Sequence, residues 1–308
     1  DRVISDGKLN ISQASGFALV YQPETLIVGT YYKCVVEVSN YVDGSFKIGL
    51  AGSDAANTSP SINADGTFTF YLQRLSGGSN NVGFVFGGLA NLSIDNFSVR
   101  EVGQDWVIAS GSGWSIGDSK LIGVNAANFS AYQVTLISGK TYKFTYEVKD
   151  YVSGQFGIRA NTVSGITVTA NGIYTDYIKS NGDKVYLMGS GTFNGSVTNI
   201  SVKEVGQNWD FDANWSIGNN KAISTGVGRM FQSIPFLETN VGTKVKVSFD
   251  IVDYTSAGVV INCYGGVSSL FQGVGSYSFI TTTTNTLNLY VNNAGAGNLV
   301  GSITNLSV

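Results

Sequence analysis

The side chains that carry most enzyme chemistry are sparse in this chain. Its 308 residues include no histidine, which removes Ser-His-Asp and Cys-His nucleophilic catalysis and histidine zinc sites together. Two cysteines, Cys34 and Cys263, cannot build a four-thiolate zinc site. No run of the GxxxxGK[ST] form offers a phosphate cradle. What remains is paired-carboxylate chemistry of the glycosidase kind. Glu147 with Asp150 and Asp250 with Asp253 are the candidates, but the corresponding stretch nearer the start has Glu37 with Asn40. These acids therefore read as the solvated face of a strand, and no catalytic residue is assigned.

Saccharide binding asks for other parts: exposed rings flanked by polar side chains in a groove. With 16 Tyr, 17 Phe and 4 Trp, rings are plentiful, but most are expected in a core. Phe68, Tyr174 and Tyr277 share the inward parity of one strand, and Tyr41, Tyr151 and Tyr254 recur at another inward place. Tyr71 and Tyr177 have the opposite parity and are the expected solvent-facing sugar platforms. Ile280 stands at that place nearer the end, so at most two copies share such a site.

These correspondences rest on an internal repeat. "NFSVREVGQDW" from Asn96 recurs as "NISVKEVGQNW" from Asn199, and "NLSV" closes the chain from Asn305. "GTYYKCVVEVSNY" from Gly29 matches "GKTYKFTYEVKDY" from Gly139 and "GTKVKVSFDIVDY" from Gly242, and "WSIGDSKL" from Trp114 matches "WSIGNNKA" from Trp215. Tyr142, Phe144, Tyr146 and Val148 alternate with polar residues, the period of a strand with one face buried and one wet. The expected fold is all-β: three tandem antiparallel β-sandwiches of jelly-roll type, each of about eight short strands. Their spans are residues 1–103 (first strand incomplete), 104–206 and 207–308. Only Gly103-Gln104 and Gly206-Gln207 separate the end of one copy from the start of the next, too little for a flexible tether. These four residues, with Trp106 and Trp209, are expected to form the seams. The chain opens just after one such junction and stops inside another, so further copies are expected on either side.

Composition agrees. Charged residues are 13% of the chain, glycine reaches 39 and proline only three, the usage of short strands joined by turns. A net charge of −3 gives no footprint for nucleic acid. No apolar run approaches a membrane span and no signal peptide is evident. The two cysteines fall in different copies at inward positions and read as buried free thiols.

The order of these motifs resembles carbohydrate-binding modules of the jelly-roll type, the group represented by families four and nine. The resemblance is carried by the Trp-containing first strand, the aromatic-Gln pairs Tyr21-Gln22, Tyr132-Gln133 and Phe231-Gln232, the "GKTY" strand, the strands after Gly66, Gly172 and Gly275, and the closing Asn-x-Ser-Val. Such modules often hold a structural calcium, for which Asp6, Asp118 or Asn219 with Glu101 or Glu204 would supply oxygens. Calcium needs six to eight of them, which spacing alone does not assemble, so no metal residue and no cofactor are assigned, with calcium left open. The "VKEVGQ-W" junction is similar to those of bacteriophage fibre and tail proteins. That implies a non-enzymatic structural or adhesion segment of a virion fibre or decoration protein, located on a virion or outside the cell. Its partners would be other virion or surface proteins and host glycans, in a homo-oligomer of the trimeric kind. The alternatives are the carbohydrate-binding region of a larger secreted glycoside-active enzyme, and a bacterial surface adhesin or filament subunit.

Overall fold

In the computed structural model, which describes residues 1–12, 18–24, 26–52, 54–285, 288–292 and 299–308, the protein is all-β with antiparallel sheets. Its first strands are β1 (Arg2–Ser5), β2 (Lys8–Ile11), β3 (Ala18–Pro23), β4 (Tyr31–Asp43), β5 (Phe46–Gly49), β6 (Gly66–Gln73), β7 (Asn81–Phe86) and β8 (Asn91–Val102). They form two sheets, β1-β2-β8-β4-β6 and β3-β7-β5. Both sheets turn side chains into one core: Cys34, Val36 and Val38 from β4, Phe46 and Ile48 from β5, Phe84 and Phe86 from β7. Alternation along β4 is what makes this a sandwich, since every second residue is buried.

The next strands are β9 (Val107–Ile108), β10 (Trp114–Gly117), β11 (Lys120–Ala126), β12 (Ala131–Val134), β13 (Thr141–Ala160), β14 (Val163–Val168), β15 (Gly172–Lys179) and β16 (Lys184–Val205). Here the short strands expected from the sequence are not all short. β13 spans 20 residues and β16 spans 22. Each runs on where β4 gives way to β5, and β7 to β8. One eight-stranded sheet results, ordered β10-β11-β16-β12-β9 with β13 pairing β14, β15 and β16.

The remaining strands are β17 (Asp210–Phe211), β18 (Trp215–Gly218), β19 (Lys221–Ser224), β20 (Arg229–Gln232), β21 (Lys244–Ser256), β22 (Val260–Cys263), β23 (Gly266–Val267), β24 (Gly275–Thr282), β25 (Leu289–Asn292) and β26 (Val300–Ser307). The sheet β18-β19-β26-β21-β24 repeats the order β1-β2-β8-β4-β6, and β20-β25-β22 repeats β3-β7-β5. Val247, Phe249 and Ile251 of β21 enter its core beside Ile261 and Cys263.

By Cα proximity the chain gathers into two compact units. One holds Asp1–Ser138, Thr145–Asp176 and Ser180–Ser201; the other holds Gly139–Phe144, Tyr177–Lys179 and Val202–Val308. The first Gly-Gln junction lies within the former and the second within the latter.

Three local devices recur and explain the repeated letters. Asp6-Gly7, Asp118-Ser119 and Asn219-Asn220 have φ of 51° and 77°, 46° and 59°, and 52° and 59°. Positive φ at both central positions is the type I′ hairpin turn, and the pairs Ser5↔Lys8, Gly117↔Lys120 and Gly218↔Lys221 close it. The closing asparagines Asn96, Asn199 and Asn305 also have positive φ. Each donates its side-chain amide to the acid on the neighbouring strand: Glu37 at 2.7 Å, Glu147 at 2.8 Å and Asp250 at 2.6 Å. Finally, Tyr41, Tyr151 and Tyr254 donate to the carbonyls of Gly44, Gly154 and Ala257 at 3.1, 2.9 and 2.6 Å, bracing the bend three residues on.

Cys34 and Cys263 are buried free thiols. Burial pushes Cys34 up to about 12 and Cys263 up to about 11. Neither should react with a thiol reagent at pH 8 in the native protein, and both should react once guanidinium unfolds it. A native thiol that reacts at the rate of free cysteine would show that its core opens. Because the raised values belong to acids held neutral, this contribution to stability is complete below the unfolded thiol value near 8.5. It is lost as pH rises towards the folded values.

Candidate functional site

The site begins at the two junction turns. Gly103 has φ +67° and Asp105 +69°; Gly206 has +67° and Asn208 +66°. The amide of Trp106 donates to the carbonyl of Gly103 at 3.0 Å, and that of Trp209 to Gly206 at 2.9 Å. Each junction is thus a hydrogen-bonded four-residue turn with positive φ at its third position. Glycine is required at its start. A Cβ on Gly103 would stand 2.0 Å from Cδ1 of Ile116, and one on Gly206 2.2 Å from Cδ1 of Ile217. The isoleucine of each "WSIG" strand rests on the glycine itself. Gln104 and Gln207 are exposed.

Tyr71 and Tyr177 stand beside these turns. Both are half-buried. The hydroxyl of Tyr71 donates to Asp118 at 3.1 Å, and Lys33 Nζ lies 5.9 Å from its ring centre. Lys143 Nζ lies 5.8 Å from the ring centre of Tyr177. A glycine of the hairpin lies against each ring: a Cβ on Gly117 would be in ordinary contact with Tyr71 at 3.6 Å, and one on Gly218 with Tyr177 at 3.8 Å. The rings are packed on one side, where parity alone pointed to open solvent. At the third position Ile280 is 67% exposed.

The structure brings the expected platforms and the expected seam residues together. Tyr71, Gly103, Gln104 and Trp106 line a recess of about 560 Å³. Tyr177, Gly206 and Trp209 line one of about 350 Å³. The walls correspond position by position: Ile116 with Ile217, Lys120 with Lys221, Thr198 with Thr304 and Asn199 with Asn305. Trp209 also packs against the core of the strands that follow it. Sequence reasoning missed the lysines beside the rings, although "YK" at Tyr32-Lys33 and Tyr142-Lys143 marks them.

The carboxylates are engaged structurally. Asp150 accepts from Lys120 at 2.9 Å and Ser196 at 2.7 Å; Asp253 accepts from Lys221 at 2.9 Å and Ser302 at 2.5 Å. The Lys120 contact, then Ser196, holds Asp150 below the usual range. Asp253 is held down by Ser302, then Lys221; Asp250 by Ser276, then Asn305. Values lowered on folding mean stability that is present above the unfolded value near 4 and lost as pH falls through the folded ones. Acid unfolding should accordingly begin below pH 4, and a midpoint above pH 5 would contradict these contacts. Of the residues that could offer oxygens to calcium, Asp6, Asp118 and Asn219 are hairpin-turn residues and Glu204 pairs with Lys140 at 3.6 Å. Among the described residues no three His, Cys, Asp or Glu side chains gather as a metal group would need.

Neither a family model nor a curated protein matches the chain. Among solved structures, the tandem CBM22-1-CBM22-2 domain of Paenibacillus barcinonensis Xyn10C is similar at 11% identity and TM-score 0.22, over 66% of this chain and 85% of its own. A structure of Sulfolobus Turreted Icosahedral Virus matches at 15% identity and TM-score 0.22, over 98% of this chain and 88% of its own. A triple-jelly-roll protein of an archaeal virus turret matches at 13% identity and TM-score 0.21, over 99% and 88%. Likeness at this level carries no argument about what the chain binds.

Proposed function

We propose that this chain is a non-enzymatic structural and adhesion segment of a virion fibre or decoration protein, and that its paired recesses bind cell-surface saccharide. One observation carries the reading: a tyrosine and a tryptophan, rimmed by lysine, threonine and asparagine, are set in a recess at each of two junctions. Sugar rings offer apolar C–H faces to aromatic side chains and hydroxyls to polar ones, and a recess of this composition meets both. The acids that would have to perform glycoside hydrolysis hold lysine, serine and asparagine instead.

A glycan array probed with the whole chain and with Tyr71→Ala/Tyr177→Ala tests this. Binding by the native chain that the double variant loses, with its melting profile retained, is the expected result. Binding that the variant keeps would move the site away from these recesses. No binding to any glycan by folded protein would leave a purely structural segment.

A further inference from the structure

The two junctions are built alike but charged differently. On the outer face of the first, Tyr71 pairs with Lys33 and Lys33 with Arg100, and in the next row Gln73 pairs with Tyr31 and Tyr31 with Val102. At the second junction Tyr177, Lys143 and Lys203 take the places of the first row, and Lys179, Thr141 and Val205 those of the second. Thr141, Lys179 and Val205 do line one recess together, of about 240 Å³, with Lys140, Trp209 and Phe231. Lys140 replaces Thr30 of the first copy and Lys179 replaces Gln73.

The replaced glutamine shows what the position does when it is structural. Gln73 donates its amide to the carbonyls of Gly29 at 3.0 Å and Ile108 at 2.9 Å. Lys179 is exposed and makes no ion pair among the described residues, and neither do Lys143 and Lys203. Of the acids at this end, Glu204 is taken by Lys140 and Asp212 by Arg229 at 2.8 Å, which leaves Asp210 on the rim. Like charges placed on neighbouring strands cost stability unless something neutralises them. Lys33 and Arg100 of the first junction are equally without an ion pair among the described residues. What sets the second apart is Lys179, which shares a recess with Trp209 and suits an anion that also presents an apolar ring.

We infer that the recess which Lys179, Lys140, Trp209 and Phe231 line at the second junction takes an acidic saccharide, one bearing a carboxylate or a sulfate ester, with Lys179 meeting the charge and Trp209 meeting the sugar ring. This rests on the saccharide reading above and narrows it to a ligand class and to the second junction, where the lysine-lined recess shares Val205, Gly206, Trp209 and Phe211 with the recess of Tyr177. Lysine suits such a ligand because its charge-assisted bonds to an oxyanion are stronger than those between neutral groups.

The test is calorimetric titration of the whole chain with a uronic-acid hexasaccharide, its carboxyl-reduced counterpart, a sulfated neutral hexasaccharide and a single-stranded DNA of equal charge. At least one acidic sugar should bind about tenfold more tightly than the reduced form, the increment of roughly one charge-assisted bond, and the advantage should shrink as salt is raised. Lys179→Gln, which installs the residue of the first copy, should remove that preference while leaving thermal melting unchanged. Gln73→Lys should confer none by itself, because Thr30 and Asp118 remain. Equal affinity for the acidic and reduced sugars overturns the inference and leaves the saccharide reading standing. Equal affinity for DNA overturns it in favour of unselective charge. No binding to any sugar overturns both.

Discussion

Replacing Phe193 with alanine is expected to cost about 3–5 kcal/mol of stability, at the upper end for an aromatic core residue. The ring is fully buried. It stacks on Trp114 at 5.7 Å between centres and meets Phe156 at 5.4 Å and Tyr151 at 6.5 Å. Glycine backbone closes in elsewhere: a Cβ on Gly123 would come within 2.7 Å of the ring, one on Gly195 within 2.9 Å, and one on Gly154 within 2.6 Å of the Phe193 backbone. Side chains can lean into a void, but paired strand backbone cannot, so on the glycine side the cavity left by alanine stays open. Phe193→Leu, which refills much of the space, should lose far less. Calorimetry on both variants decides the matter. A loss under about 1 kcal/mol for Phe193→Ala would mean that the sheet closes over the gap.

The second large effect is expected at Asp176, 5% exposed in a core where the other copies carry Phe70 and Phe279. Its carboxylate accepts from the Tyr146 hydroxyl at 3.0 Å and from the amide of Ile166 at 2.9 Å. Asp176→Ala strands both donors and should cost about 2–4 kcal/mol. Tyr146→Phe in that background removes one orphan, so the double variant should be more stable than the two single losses predict. A cycle that sums without interaction would show that the two groups are not coupled. Burial, then the Asp176 charge, pushes the Tyr146 hydroxyl far above its usual range. A raised value on this acid means stability that is complete below about pH 10 and lost above it, and Tyr146→Phe should flatten that alkaline limb.

How much of this was legible in the letters depends on the distance over which each feature acts. The β4 alternation and the Gly-Gln turns are set by neighbours in sequence, and each is where its pattern points. The core places of Tyr41, Tyr151 and Tyr254 were legible from their recurrence in every copy and not from period two. Each has the outward parity of its strand, and a register shift or positive φ just before it turns the ring in. The fusion of short strands into β13 and β16 was not. Gly154 reads as a break, yet the backbone passes through it at φ +81° and stays paired. Asp176 was invisible because an acid on a strand reads as solvated until its two donors are seen. The recesses were half legible: parity turned Tyr71 and Tyr177 outward, but the hairpin that covers one side of each ring comes from beyond the turn.

The register of β16 has a mechanical meaning. Ile108, near the entry to the middle copy, pairs with Ala131, and Ala131 pairs with Leu187 near the beginning of β16. The chain leaves that copy at Val205, the other end of the same strand. Tension drawn through the backbone would therefore run along β16, across the direction of its interstrand hydrogen bonds. Bonds loaded this way share the pull and give way together, whereas a hairpin pulled from its open end yields one bond at a time. Force spectroscopy should show this copy rupturing in a single abrupt event, and a long, low plateau would contradict it.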